Sequence, residues 1–277
     1  MTLITGGNGQ LGAALAALIP DAMLPGSDAL DLTRPDQVAA EIARLHPTAI
    51  INCGAYTAVD AAEDDEPTAA IVNGTSVGVL AAAAIRLDVP FITFSSDYVF
   101  DGAASTPYVE SSPPNPVNAY GRSKLLGERM AMRVNPKALI VRSSWLFSAT
   151  HPNFVTTIVD LAAVHPVDVV NDQIGCPTFA PDLAAATLRA MDLGASGLLH
   201  LTNEGVTTWF DLARASCIVA GVDPERVRPI TSAQYRARAR RPRYSVLGSE
   251  RRRLLGVDDL RPWRQALPHA LGVSQPD

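Results

Sequence analysis

Short apolar runs that end in small residues recur along the first half of the chain, and stretches with apolar residues at helical spacing follow them. "TLITG" at residues 2–6, "TAIINCG" at 48–54, "PFITFSS" at 90–96 and "ALIVRSSWLF" at 138–147 are β-branched or aromatic runs without strict alternation, as expected of strands buried on both faces. Alanine- and leucine-rich "AALAALI" (13–19), "SVGVLAAAAIRLD" (76–88) and the segment around Tyr120 predict helices between them. Strand, helix, strand, helix predicts a doubly wound parallel sheet of the α/β class. After Phe147 the alternation loosens. "NFVTTIVDLAAVH", "PDLAAATLRAMDLG" and "WFDLARASCIVAG" predict helices, "VDVVND" and "GLLHLTN" predict strands, and a segment punctuated by proline and arginine follows. The expected organisation is a sheet domain over residues 1–150, to which 171–204 return, and a smaller interleaved lobe made of 151–170 and 205–277.

Composition narrows the class. A chain of 277 residues, 47% hydrophobic and 18% charged, can bury a sizeable core. No run approaches the roughly 18 uninterrupted apolar residues of a membrane span, and there is no positively charged leader, so no membrane is expected and the cytoplasm is the expected address. Cys53, Cys176 and Cys217 form no Cys-x-x-Cys pair, and the five histidines show no ligand spacing, so no metal is expected. A formal charge of -5 argues against general nucleic-acid affinity, yet ten arginines lie between Arg226 and Arg253. A solvated face, an anion site and a nucleic-acid patch are all readings of such an island.

The first strand runs into "TGGNGQLG", which spaces Gly6, Gly9 and Gly12 three apart at the opening of a helix. Glycines there let backbone approach a pyrophosphate, and the helix N-terminus offers unpaired N–H groups to negative charge. The spacing is a variant of the usual Gly-x-Gly-x-x-Gly fingerprint, so a purely structural turn is the competing reading. A second strand should carry an acidic residue at its end to hold a ribose hydroxyl, but Pro25, Gly26 and Ser27 occupy that place. Preference between NADPH and NADH therefore stays open, tilted towards NADPH or dual use, with Asp31 and Leu32 as expected adenine contacts.

"NAYGRSKLLGE" at 118–128 places Tyr120 and Lys124 one helical turn apart on one face. Of 23 basic residues only Lys124 and Lys137 are lysines, so Lys124 hints at chemistry that wants a compact ammonium. The strand ending in Ser95, Ser96 and Asp97 would emerge at the carboxyl edge of the sheet, where open α/β sheets bind ligands. A hydroxyl there beside a tyrosine and a lysine is a proton-transfer constellation, in which the ammonium would stabilise the tyrosine anion. Taken singly, Ser96 could end a strand, Asp97 cap a helix and Trp145 fill a core.

Together "GNGQLG", "NCGAYTAVDAAED", "SSDYVFDG", "YGRSKLLGE", "RSSWLF", "NDQIGCPT" and "ARRPRYSVL" resemble dTDP-4-dehydrorhamnose reductases, of the extended short-chain dehydrogenase/reductase superfamily, from residue 2 to about 271. The resemblance implies a Rossmann-like fold and hydride transfer from NADPH or NADH to the C4 ketone of a dTDP-4-keto-6-deoxysugar. It implies that Gly9, Gln10 and Leu11 touch the cofactor diphosphate, that Ala55, Tyr56 and Thr57 line its path, and that Tyr120 donates the proton. Lys124 would hold the nicotinamide ribose and lower the tyrosine pKa, and Ser96 would share the hydrogen bond to the reacting oxygen. Asp97 and Trp145 would contact the sugar, Asn73 would give support from behind, and the Arg241 segment would meet the diphosphate. Some members use a glutamate beyond the last motif glycine in a magnesium-linked dimer; Ala14 stands there in this chain, which predicts no such metal and leaves a homodimer open. An epimerase or dehydratase of the same superfamily and a non-catalytic regulatory subunit are the alternatives.

Overall fold

The structure, a computed structural model, describes residues 1–273. Strand β1 (Thr2–Thr5) turns through the glycines into α1 (Gln10–Leu18), and α2 (Pro35–Leu45) leads to β2 (Ala49–Asn52). A long helical segment follows, made of α3 (Glu66–Ala70), a π-helical turn (Ile71–Thr75) and α4 (Ser76–Leu87). Then come β3 (Phe91–Ser96), α5 (Ala119–Val134) and β4 (Leu139–Ser143). The next part of the chain forms β5 (Leu146–Phe147), α6 (Phe154–Val164), β6 (Val167–Val170), β7 (Ile174–Gly175) and β8 (Thr178–Phe179). After α7 (Ala180–Asp192) and β9 (Gly197–His200), short strands β10 (Asn203–Glu204) and β11 (Thr207–Thr208) precede α8 (Trp209–Val219). The last elements are β12 (Val227–Ile230), α9 (Ser232–Tyr235), β13 (Leu260–Pro262) and α10 (Trp263–Ala270).

Five strands form one parallel sheet in the order β1-β2-β3-β4-β9. Because successive strand residues point to opposite faces, Ile4, Ile51, Ile92, Val141 and Leu199 meet Leu15 of α1 and Leu183 of α7 on one side. Leu3, Ile50, Phe91 and Ile140 meet Val38, Ile42 and Leu80 on the other. Both faces are covered by helices, which is the doubly wound arrangement and explains the continuous apolar strand runs. Next to β1, where an additional strand was expected, only Met23 pairs, through Ile4 N to Met23 O at 2.9 Å and Met23 N to Thr2 O at 2.8 Å. Pro25 and Gly26 follow one residue later, and proline lacks the N–H that would continue a ladder.

The segment Glu66–Leu87 is long and apolar enough by mean hydropathy to cross a membrane, although polar residues such as Asn73, Ser76 and Arg86 interrupt it, as the absence of a long uninterrupted apolar run requires. Its small residues instead pack it against α5 and α2. Beyond the sheet, Phe147, Val155, Phe179, Leu212, Trp263 and Leu267 form a separate apolar cluster, and Ile158, Val167, Ala213 and Val227 form another.

Among the described residues, one charged pair lies wholly inside. Arg142 of β4 and Glu128 of α5 are 1% and 3% exposed and bond bidentately at 2.8 and 2.7 Å. Arg142 also lies over the Phe100 ring and faces His200 Nε2 at 3.3 Å. Burial pushes the His200 ring down to about 4, against the pull of Glu110. Removing one partner of such a pair strands a charge in a medium that solvates it poorly. Glu128→Ala is expected to lower unfolding stability by about 3–5 kcal/mol, measured by urea denaturation.

Candidate active site

The turn after β1 is built on close backbone approach. Gly6 has φ +63°, and a β-carbon on it would come within 2.6 Å of Gly54 N. One on Gly12 would lie 2.2 Å from Gly6 O. Gly9 caps α1 with no side-chain bond, so the first N–H groups of the helix are left for a ligand. Across the strand ends, Thr5 Oγ1 donates to Asn52 Oδ1 at 2.6 Å and Asn52 Nδ2 donates to Thr93 Oγ1 at 3.0 Å. Thr5 Oγ1 also accepts from Gly54 N at 3.1 Å, fixing the second loop beside the first.

Above these ends lies a cleft of about 600 Å³. Of the residues singled out from sequence, Gly6, Gly9, Gln10, Leu11, Gly12, Ala55, Thr57, Ser96, Tyr120, Lys124 and Trp145 line it. Sequence reasoning missed Ser143, Ser144, His151 and Leu183, which line it too. Three buried polar atoms of the lining have no partner: Gln10 Oε1, Ser95 Oγ and Ser143 Oγ. Buried polar groups are nearly always paired, so this row of orphans, with the bare helix N-terminus and a glycine cradle, fits a long polar ligand of the dinucleotide kind.

Other expected residues stand elsewhere. Tyr56 does not line the cleft; its backbone is held by Asn73, which accepts from Tyr56 N at 2.9 Å and donates to Tyr56 O at 2.9 Å. The same amide donates to Ser123 Oγ at 2.9 Å, which donates to Tyr120 O at 2.7 Å. Asp31 does not line the cleft; it accepts from Thr33 N and Oγ1 at 2.9 and 2.7 Å. Leu32 packs close to Gly54. Asp97 is 2% exposed and accepts from Ser96 Oγ at 2.9 Å. Arg241 is not a free cation: it forks onto Asp60 at 2.7 and 2.6 Å and lines a separate cavity of about 1070 Å³ with Arg238, Arg240, Arg243 and Tyr244. Arg238 is tied to Asp64.

The reacting groups are set on α5 and the end of β3. Asn118 caps α5 by accepting from Gly121 N at 2.7 Å, which orients its first turn. Burial pushes the Tyr120 phenol up to about 12, the Asp97 charge adds to this, and a hydrogen bond with Ser96 opposes it. The phenol is thus held protonated, as a proton donor must be. Lys124 is 6% exposed, and burial brings its ammonium down to about 8 against the favourable charge of Glu128. The expected lowering of Tyr120 by Lys124 is not among the influences on the phenol. Burial likewise raises Asp97 to about 6, opposed by bonds from Ser245 and Ser96.

A parallel sheet with a glycine turn at its first strand and a serine, tyrosine and lysine at its carboxyl edge defines the Rossmann-type short-chain dehydrogenase/reductase class. The chain matches the RmlD substrate binding domain family over residues 1–275 and belongs to it. It is 44% identical to the dTDP-4-dehydrorhamnose reductase of Mycobacterium tuberculosis, over 98% of this chain and 92% of that protein. A probable dTDP-4,6-dihydroxy-2-methyloxan-3-one 4-ketoreductase of Streptomyces antibioticus is 42% identical, over 97% and 93%. The crystal structure of dTDP-4-dehydrorhamnose reductase from Bacillus anthracis in complex with NADP superposes with a TM-score of 0.92 at 34% identity, covering 96% of each chain.

Asp97 gives a pH test. Its folded pKa of about 6 exceeds the ordinary 3.8. Between those values the folded chain keeps a proton that the unfolded chain has released, so this group's contribution to stability is full below 3.8 and is lost as pH rises through about 6. Asp97→Asn is expected to remove that loss. Subtracting the two curves of unfolding free energy against pH cancels the His200 contribution and shows the difference directly.

Proposed function

We propose that this protein reduces the C4 ketone of a dTDP-4-keto-6-deoxyhexose with NADPH or NADH, turning dTDP-4-dehydrorhamnose into dTDP-rhamnose. The observation that carries the reading is the meeting of Ser96, Tyr120 and Lys124 in one cleft with the glycine turn, in a chain of this family. The bound nicotinamide would supply the hydride. Gly9, Gln10 and Leu11 hold its diphosphate, with Ala55 and Thr57 along the cleft wall. Tyr120 gives its phenolic proton to the oxygen that becomes the new hydroxyl, and Ser96 hydrogen-bonds the same oxygen. Lys124 holds the nicotinamide ribose in the cleft that it lines with Tyr120.

Trp145 forms an apolar boundary for the sugar. Asp97 orients Ser96, whose hydroxyl donates to it at 2.9 Å in the free protein and would turn that one proton to the reacting oxygen when the sugar binds. For the nucleotide diphosphate, Arg240 and Arg243 are the more available forks of the large cavity, since Arg241 is committed to Asp60.

Incubation with dTDP-4-dehydrorhamnose and either NADPH or NADH, followed by NMR of the sugar, tests substrate, cofactor and stereochemistry together. Stoichiometric consumption of added NADPH is expected; an epimerase or dehydratase would interconvert the sugar without it. Tyr120→Phe is expected to cut kcat by about 10²–10⁴-fold while NADPH affinity is retained, since only the proton donor is lost. Full turnover by that variant would overturn the assignment.

A further inference from the structure

Among the described residues, four other than glycine have positive φ: His46, Asp88, Trp145 and Arg236. Three of them cap the ends of α2, α4 and α9, where the left-handed conformation is ordinary. Trp145, at φ +49°, caps nothing; it lies between β4 and β5. A bulky residue keeps that backbone only where its surroundings over-determine it.

What over-determines it is visible. The Trp145 indole stacks on Trp209 with ring centroids 3.7 Å apart and planes 9° from parallel. Phe154 braces Trp209 edge-on at 4.6 Å and 61°. Gly175 lies so close to the Trp145 ring that a β-carbon would come within 2.6 Å of Cε2, 2.7 Å of Cζ2 and 2.8 Å of Nε1. Gly175 and Trp209 are joined through one short strand pair. Gly175 of β7 pairs with Thr207 of β11, and β11 runs directly into Trp209 at the start of α8. The Trp145 carbonyl is fixed as well, accepting from Thr178 N at 3.1 Å.

We propose that the β7–β11 pair is a clamp that sets sugar recognition, with Trp209 and Gly175 as specificity-determining positioning residues although neither lines the cleft. With Trp209 over one indole face and Gly175 packed on the ring, the depth to which Trp145 enters the cleft beside Tyr120 is fixed before any sugar arrives. The clamp rests on the ketosugar reading above. Its effect falls on the sugar and not on the dinucleotide, whose glycine turn lies on α1 and β1.

The test measures KM for dTDP-4-dehydrorhamnose and for NADPH, with circular dichroism of the indoles. Two indoles stacked this closely give a coupled pair of bands of opposite sign, which Trp209→Ala should abolish. That variant is expected to raise the sugar KM about tenfold, equivalent to about 1.4 kcal/mol, with the NADPH KM unchanged. Trp209→Phe, which keeps an aromatic face, should restore much of the loss. Gly175→Ala, which displaces the indole while keeping Trp209, should raise the sugar KM alone and guards against a misfolded Trp209→Ala. Wild-type sugar KM in folded Trp209→Ala or Gly175→Ala protein would overturn the clamp. A wild type that reduces no dTDP-4-ketosugar would overturn the reduction reading, and the clamp with it.

Discussion

Helix α5 sits so near its neighbours that two of its residues have no room for a β-carbon. On Gly121 that carbon would lie 2.1 Å from Tyr98 O, and on Gly127 2.1 Å from Asn73 O. These contacts let the helix backbone rest on the turn that follows β3 and on the π-helical turn. Tyr120 and Lys124 reach the cleft because of that seating. The turn itself widens the helix so that Asn73 can bond both to the Tyr56 backbone and to Ser123. At the far end, the Glu128–Arg142 fork fixes how α5 lies along β4. Site geometry is therefore set by packing behind the site, not by the reacting groups themselves.

Charge inside this frame follows the same logic. Tyr120 and Lys124 are each pushed by burial towards their neutral forms, the phenol up and the ammonium down. Glu128 opposes the second shift, since it stands one turn beyond Lys124 and keeps a negative charge near it. Asp97 adds to the first. A neutral phenol is the donor that ketone reduction needs, and an ammonium near its working range responds strongly to any ligand beside it.

Much of the sheet was legible because strands buried on both faces must be apolar throughout, and the glycine turn because a β-carbon on Gly6 or on Gly12 would meet backbone at 2.6 or 2.2 Å. Tyr120 and Lys124 were legible because one helical turn is a local rule. What the sequence hides is non-local: nothing near Arg241 announces its fork onto Asp60, 181 residues away. "ALIVRSSWLF" reads as one strand, yet the turn at Trp145 divides it because tertiary stacking outweighs local preference. The Thr5–Asn52–Thr93 relay and the unpaired Ser143 come from three or four strands, so only the assembled sheet edge shows them.

The sheet order carries a further consequence, for synthesis. Its last strand, β9, follows β5 to β8 in the chain, yet it pairs with β4. While a ribosome is making the intervening segment, Leu139, Ile140 and Val141 have one backbone edge without a partner and an apolar surface not yet fully covered. Unpaired edges of this kind recruit other strands. Growth through residue 200 is therefore the vulnerable interval in the life of this chain, and a stall between β4 and β9 would expose an aggregation-prone edge that the finished protein never shows.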